Sequence, residues 1–398
     1  MDKKLKVALG NDSFLPTIDG VNTVIKFYAE IINKELGEAV VVTPENPNKK
    51  DYMYPFDVYR YKSLFTFGEG YPVGWPFKKQ FTDDIINMNF DILHSHCPVA
   101  TSYFFRRVNR VKRIPTIITY HTKFEYDIDA RVKSLAVRQK AYTMIGKDIK
   151  CADEVWVTSK GTADSLKIMG YYGDFVVMPN GCDLPKILTL SNDEQKSIIC
   201  RKHNIPNNIP IFIFVGRLMW YKNIRLILDS MKLLKDRGRD FRMLLLGIGP
   251  DEKAIRKYTE KINLTDKVIL AGMIDNRQEL QLYYSAADLL IFPSLFDTNG
   301  LVVREAAASA TPSVLVQDSC AAEGIVDGET GFICFESPYS YAEKIDMIID
   351  NRDLIGRVGQ KAQNDIYISW DESVKNAYER YQIVIDKFNS TPHGEYKW

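Results

Sequence analysis

Ile211-Phe212-Ile213-Phe214-Val215-Gly216-Arg217-Leu218-Met219-Trp220-Tyr221-Lys222-Asn223 runs from an unbroken apolar segment through a glycine into a short loop closed by Lys222 and Asn223. Ile224, Ile227, Leu228, Met231 and Leu234 follow at the spacing of a helix with one apolar face. An apolar run without alternation reads as a strand covered on both faces, and a glycine turn into an amphipathic helix begins a βαβ crossover. The pattern repeats downstream, with predicted strands at 243–246, 268–270, 289–292 and 313–316, each followed by a helical stretch. Upstream it reads as a strand at 5–10, a loop ending in Gly20-Val21, a helix over 23–36 and a strand at 39–43 closed by Pro44. Further short strands are predicted at 91–94, 116–119 and 154–158.

The pattern restarts after Asn180-Gly181-Cys182-Asp183, and 398 residues exceed what one core usually organises. The expected fold is therefore α/β, with two doubly wound, Rossmann-like domains facing a cleft: residues 1–183, and residues 184–370. The last helix, within 371–398, is expected to pack back on the first domain. Ligands of such sheets bind at the carboxyl ends of the strands. With 45% hydrophobic and 26% charged residues, the composition is that of a globular protein rather than a disordered or membrane-embedded one. The start, Met1-Asp2-Lys3-Lys4, is basic, but the apolar stretch after it is too short for a secretory signal, so a cytoplasmic location is expected. A net charge of +1 argues against a nucleic-acid partner. Six cysteines without C-x-x-C spacing and five histidines outside any zinc pattern predict no metal site.

Arg217 ends the decisive strand and Lys222 opens the helix after it, where free backbone amides already favour anions. Either alone reads as a surface cation; together they suit a diphosphate. In Pro293-Ser294-Leu295-Phe296-Asp297-Thr298-Asn299-Gly300-Leu301-Val302-Val303-Arg304-Glu305, one acid precedes a glycine turn and a second lies inside the helix that begins near Gly300. If the interval were wholly helical, the carboxylates would stand about 12 Å apart along the axis, a span comparable to a sugar nucleotide. The amides near Asn299, Gly300 and Leu301 could take a phosphate. Glu305 adjoins Ala306-Ala307-Ala308, a closely packed face, so its charge requires a partner. His121 follows a predicted strand and reads as either a ligand-facing or a carbonyl-satisfying group; His94 and His96 read as structural.

These residues resemble glycosyltransferase family 4, the retaining enzymes of GT-B architecture, in which a G-R-L-x-x-x-K-N segment and an acid-x7-Glu segment mark the donor domain. Asp19-Gly20-Val21, His94-Ser95-His96, Tyr120-His121-Thr122, Pro179-Asn180-Gly181-Cys182-Asp183, Gly247-Ile248-Gly249-Pro250 and Asp327-Gly328-Glu329-Thr330-Gly331-Phe332 extend the likeness over most of the chain. The resemblance implies a hexosyltransferase that needs no metal or cofactor beyond a nucleoside-diphosphate sugar, UDP-glucose being the first donor to expect. Arg217 and Lys222 would meet the diphosphate, helped by the Gly20 loop and the amides at Asn299, Gly300 and Leu301. Glu305 would bind the ribose, Asp297 the transferred sugar, the backbone at Met273 the base, and His121 the reacting sugar. The catalytic set is then His121, Arg217, Lys222 and Asp297. The chain departs from the family in Asp297, where Glu is commoner, and in Ala310, where glycine is usual. Two other readings share the architecture: a sugar-nucleotide epimerase, and a degenerate protein that only binds a glycan or partner.

Tyr103-Phe104-Phe105-Arg106-Arg107-Val108-Asn109-Arg110-Val111-Lys112-Arg113 carries cations and no acid. On a helix, Phe104, Val108 and Val111 share one face and Arg106, Arg110 and Arg113 another, with Arg107 and Lys112 adding charge. That pattern suits anionic lipid headgroups, and equally a sheet helix with cations in water. The chain is loosely similar to bacterial diacylglycerol glucosyltransferases, which implies a sugar or lipid acceptor and a peripheral place on the inner face of the plasma membrane.

Overall fold

A computed structural model of the chain describes residues 4–17, 19–47, 53–67, 71–185 and 192–391. The basic start Met1-Asp2-Lys3 and residues 392–398 of the expected last helix lie outside them. The chain forms two compact units, Met1–Asn180 with Trp370–Trp398, and Gly181–Ser369. The second unit begins slightly before the expected residue 184, because the Cys182 amide donates to the Ile368 carbonyl at 2.9 Å and Cys182 pairs with Ser369.

In the first unit the strands are β1 (Lys6–Gly10), β2 (Glu38–Pro44), β3 (Asp57–Tyr61), the antiparallel hairpin β4 (Ser63–Phe67) and β5 (Tyr71–Gly74), then β6 (Ile92–Ser95), β7 (Thr116–Tyr120), β8 (Glu154–Val157) and β9 (Val176–Val177). Apart from the hairpin they make a seven-stranded parallel sheet in the order β3-β2-β1-β6-β7-β8-β9 among the described residues. The helices α1 (Gly20–Ile31), α2 (Lys79–Asn87), α3 (Ala100–Lys112), α4 (Phe124–Arg131), α5 (Leu135–Ile149) and α6 (Thr162–Ile168) connect them. Helix α1 starts at Gly20 rather than at the expected residue 23 because Asp19 caps it, accepting the Asn22 amide at 2.7 Å.

The second unit holds β10 (Ile211–Val215), β11 (Arg242–Leu246), β12 (Val268–Gly272), β13 (Leu289–Phe292), β14 (Ser313–Val316) and β15 (Phe332–Cys334). They form a parallel sheet in the order β12-β11-β10-β13-β14-β15. Its helices are α7 (Asn192–His203), α8 (Ile224–Asp236), α9 (Glu252–Lys261), α10 (Arg277–Ala286), α11 (Leu301–Ala308), α12 (Pro338–Ile348) and α13 (Arg352–Asp365). Ile211, Phe212, Ile213 and Phe214 are fully buried, as a strand packed on both faces requires. The strand order reverses between β10 and β13, so the loops after these two strands lie at the topological switch point where such sheets take ligands.

Helix α14 (Trp370–Ser390) returns to the first unit. Trp370 stacks on Phe27 with ring centroids 4.9 Å apart, and Tyr381 stacks on Trp156 at 5.5 Å. Among the described residues no helix is long and apolar enough to cross a membrane.

Candidate nucleotide-sugar site

The loop after β10 is held by its neighbours. Gly247 has φ +133°, and a Cβ there would strike the carbonyl of Gly216, so the loops after β10 and β11 are pressed together. Leu218 donates its amide to Ile248 at 3.0 Å, and Asp251 accepts the Trp220 amide at 2.9 Å. Asn223, at φ 62°, starts α8 and reaches both the Pro293 carbonyl at 3.2 Å and Glu336 at 2.7 Å. It ties the loop after β10 to the end of β13, a role hidden in the Lys-Asn pair of the sequence.

Lys222 is buried, and its Nζ lies 2.6 Å from Oδ1 of Asp297. The ammonium also sits over the rings of Phe296 at 5.1 Å and Tyr221 at 5.6 Å, an aromatic sleeve that suits a cation. Oδ2 of Asp297 is buried and accepts no hydrogen bond among the described residues. Arg217 is exposed at the end of the strand, Met273 is 52% exposed just after β12, and Asn299 is buried. Gly300 has φ +59° and Leu301 opens α11, so residues 297–300 are loop. The wholly helical interval that would separate the carboxylates by about 12 Å is therefore not formed.

Glu305 finds the partner its packed surroundings demand, and finds two. Tyr284 donates its hydroxyl to Oε2 at 2.6 Å, and Nη2 of Arg277 lies 2.7 Å from Oε1. The same nitrogen pairs with Asp183. Burial works against the Arg277 charge, but Glu305 and Asp183 outweigh it and raise the guanidinium above its ordinary range. Burial, reinforced by the neighbouring Glu305 charge, lifts the Tyr284 phenol well above its usual value, so it stays a neutral donor. Both partners lie on α10, where nothing in the sequence sets them apart.

The first unit carries Gly20, exposed where α1 begins, and His121 after β7. His121 Nε2 meets His96 Nδ1 at 2.9 Å, and their rings stack. His94 is satisfied on both nitrogens, by Tyr381 at 2.7 Å and Thr119 at 2.6 Å, which is the structural role expected of it. His96 is different: it touches His121, and its Nε2 is buried with no partner among the described residues. Burial depresses the pKa of all three, that of His121 to about 3, so they are neutral imidazoles at physiological pH.

Helix α3 corrects two expectations. Arg106 does not share an exposed face with Arg110 and Arg113: it turns inward, 3.6 Å from Asp148 and 3.2 Å from the Cys151 sulfur, and lies over the Tyr103 ring. Val111, placed on the apolar face by periodicity, is 59% exposed because the last turn runs past the core. Arg107, Arg110, Lys112 and Arg113 are exposed.

Residues 18–186 match the family described as Glycosyltransferase Family 4, and residues 195–365 match Glycosyl transferases group 1. Two Rossmann-like units carrying these domains in this order define a glycosyltransferase of GT-B type. The chain thus carries both a Glycosyltransferase Family 4 domain and a Glycosyl transferases group 1 domain. It is 24% identical to the alpha-monoglucosyldiacylglycerol synthase of Acholeplasma laidlawii, over 97% of this chain and 98% of that protein. Its fold is similar to that of sucrose-phosphate synthase from Thermosynechococcus elongatus, with a TM-score of 0.76 and 18% identity over 96% of this chain and 100% of that one. It is also similar to Anabaena HepE in complex with UDP and glucose, with a TM-score of 0.72 and 15% identity over 95% of this chain and 99% of that one.

Proposed function

We propose that the chain transfers glucose from UDP-glucose, with retention of configuration and without a metal ion, to a lipid acceptor of the diacylglycerol type at an anionic membrane surface. The observation that carries the reading is the arrangement in the second unit: a sleeved Lys222 bonded to Asp297, with Glu305 of α11 held by Tyr284 and Arg277 of α10. Departure of the nucleoside diphosphate builds negative charge, and fixed cations and amides aimed at it lower the barrier. Arg217, Lys222 and the amides at Asn299, Gly300 and Leu301 meet that charge. The Lys222 ammonium has three donors, so it can keep Asp297 while binding a phosphate oxygen. Oδ2 of Asp297 is left for a hydroxyl of the glucose, Glu305 takes the ribose hydroxyls, and the backbone at Met273 faces the base. His121, a neutral imidazole, is suited to give a sugar hydroxyl a hydrogen bond rather than a charge. The acceptor oxygen attacks the anomeric carbon from the side the diphosphate leaves; the bond to phosphate breaks, and a phosphate oxygen takes the acceptor proton.

The UDP-glucose and lipid parts draw support from the names of the similar proteins, the UDP and glucose bound to HepE and the alpha-monoglucosyldiacylglycerol that the Acholeplasma enzyme is named for making. Arg107, Arg110, Lys112, Arg113 and the 55% exposed Trp75 supply the cations and aromatic ring for anionic headgroups. The test is a thermal-shift screen of nucleoside diphosphates followed by transfer from UDP-glucose to diacylglycerol in anionic vesicles, with and without a metal chelator. UDP should stabilise the protein, transfer should survive chelation and fall with salt, and Glu305→Ala and Lys222→Ala should each abolish it while the protein stays folded. Near-normal turnover in both variants ends the proposal, and an isomerised sugar nucleotide formed without acceptor replaces it with epimerisation.

A further inference from the structure

An ionised carboxylate has about four acceptor positions, two on each oxygen. In Glu305 one position on each oxygen is taken from the protein side, by the Tyr284 hydroxyl at 2.6 Å and by Arg277 at 2.7 Å. That leaves one position per oxygen, in a fixed plane, which is the acceptor pattern for two adjacent hydroxyls. Tyr284 is fully buried, so its hydroxyl cannot swing away to water. Arg277 opens α10 directly after Asn276, which caps the helix by accepting the Glu279 amide at 3.0 Å. Its Nη2 bridges Glu305 to Asp183, next to the Cys182 amide that is bonded to Ile368. Three separate pieces of the unit, the entry segment, α10 and α11, thus meet on one guanidinium nitrogen. The Arg277 side chain is 43% exposed, and ion pairs of that exposure contribute little to stability. What the bridge contributes is the orientation of Glu305.

We propose that Tyr284 and Arg277 are positioning residues for the nucleotide: by occupying the inner acceptor positions of Glu305 they set its carboxylate to read a vicinal diol, and so make the site prefer ribonucleotides. This rests on the reading of Glu305 as the ribose-binding residue. Neither residue touches the reacting atoms, so each acts on donor affinity and not on the transfer step.

The test is calorimetric binding of UDP and of 2′,3′-dideoxy-UDP to the full chain and to Glu305→Ala, Tyr284→Phe and Arg277→Met. The wild-type protein should prefer UDP by roughly tenfold or more, the value of hydrogen bonds to a charged acceptor. Glu305→Ala should abolish the preference. Tyr284→Phe, which keeps the ring packing, and Arg277→Met, at a partly exposed position, should each reduce it several-fold while leaving dideoxy-UDP affinity unchanged. In transfer assays the same two variants should raise KM for the donor with kcat nearly unaltered. If both keep the wild-type preference, or weaken the two nucleotides equally, the positioning role is overturned while the assignment of Glu305 stands. If Glu305→Ala also keeps the preference, or the wild-type protein has none, the ribose assignment falls and the positioning role with it.

Discussion

A carboxylate beside three alanines needs hydrogen-bond donors, and in Glu305 that requirement was legible from the sequence while its answer was not. Tyr284 and Arg277 stand 21 and 28 positions away on another helix, and only the fold brings them to it. Asp148 is the opposite case, a carboxyl whose needs are poorly met. Its oxygens are buried without a hydrogen bond of ordinary geometry among the described residues, and Arg106 lies 3.6 Å away. Burial raises its pKa to about 6, tempered by Ser102 and Arg106. A raised folded-state pKa contributes stability that is fully present below the ordinary value of 3.8 and is lost as pH rises through about 6. Asp148→Asn removes that dependence. Its stability relative to the wild-type protein should therefore improve by roughly 2–3 kcal/mol between pH 4 and pH 8. Urea unfolding at the two pH values measures the change, and a difference that does not vary with pH would refute the buried-carboxyl account.

At the scale of elements, long apolar strands and the helices after them were readable because periodicity and glycine turns agree. Strand β15 was not, being three residues long beside a glycine-rich turn, nor was edge strand β3, whose alternating burial follows no apolar run. Helix α3 was legible as a helix, yet its last turn runs beyond the core, which is why Val111 is exposed. The turn after α11 sets the cost of one departure from the family pattern. Ala310, where glycine is usual, has φ +55°, a left-handed conformation that L-residues adopt at a cost of roughly 1–2 kcal/mol. Glycine there would relieve the cost, offset by its greater freedom in the unfolded chain, roughly 0.4–1 kcal/mol. Ala310→Gly should thus stabilise the second unit by about 0.5–1 kcal/mol. Because Ala310 lies outside the groups assigned to the donor, the transfer rate should not change. Denaturant unfolding alongside a transfer assay checks both; faster transfer without added stability would mean that Ala310 marks reduced activity and not backbone strain.

At the scale of the whole molecule, the chain leaves the first unit at Asn180 and returns to it at Trp370. The length of the last helix made a return to the first domain legible, but not what α14 does there. Trp370, Val374, Ala377, Tyr381 and Val384 belong to the same core cluster as Val7, Leu9, Tyr28 and Trp156. Tyr381 also supplies the partner of His94 Nδ1, and Arg380 pairs with Glu154 at 2.6 Å. The second unit has its own core, built from β10 to β15 and the helices around them. Truncation after Ser369 should therefore act on one unit and spare the other. It uncovers the apolar surface of α1 and β8 and leaves buried His94 without one of its two partners, a penalty of about 1–3 kcal/mol for that group alone. The expected outcome is rapid proteolysis and loss of amide protection within residues 4–180, while residues 192–369 stay protected and UDP still shifts their melting. A truncated chain that melts in one transition at the full-length temperature would show that α14 is not part of the first unit's core.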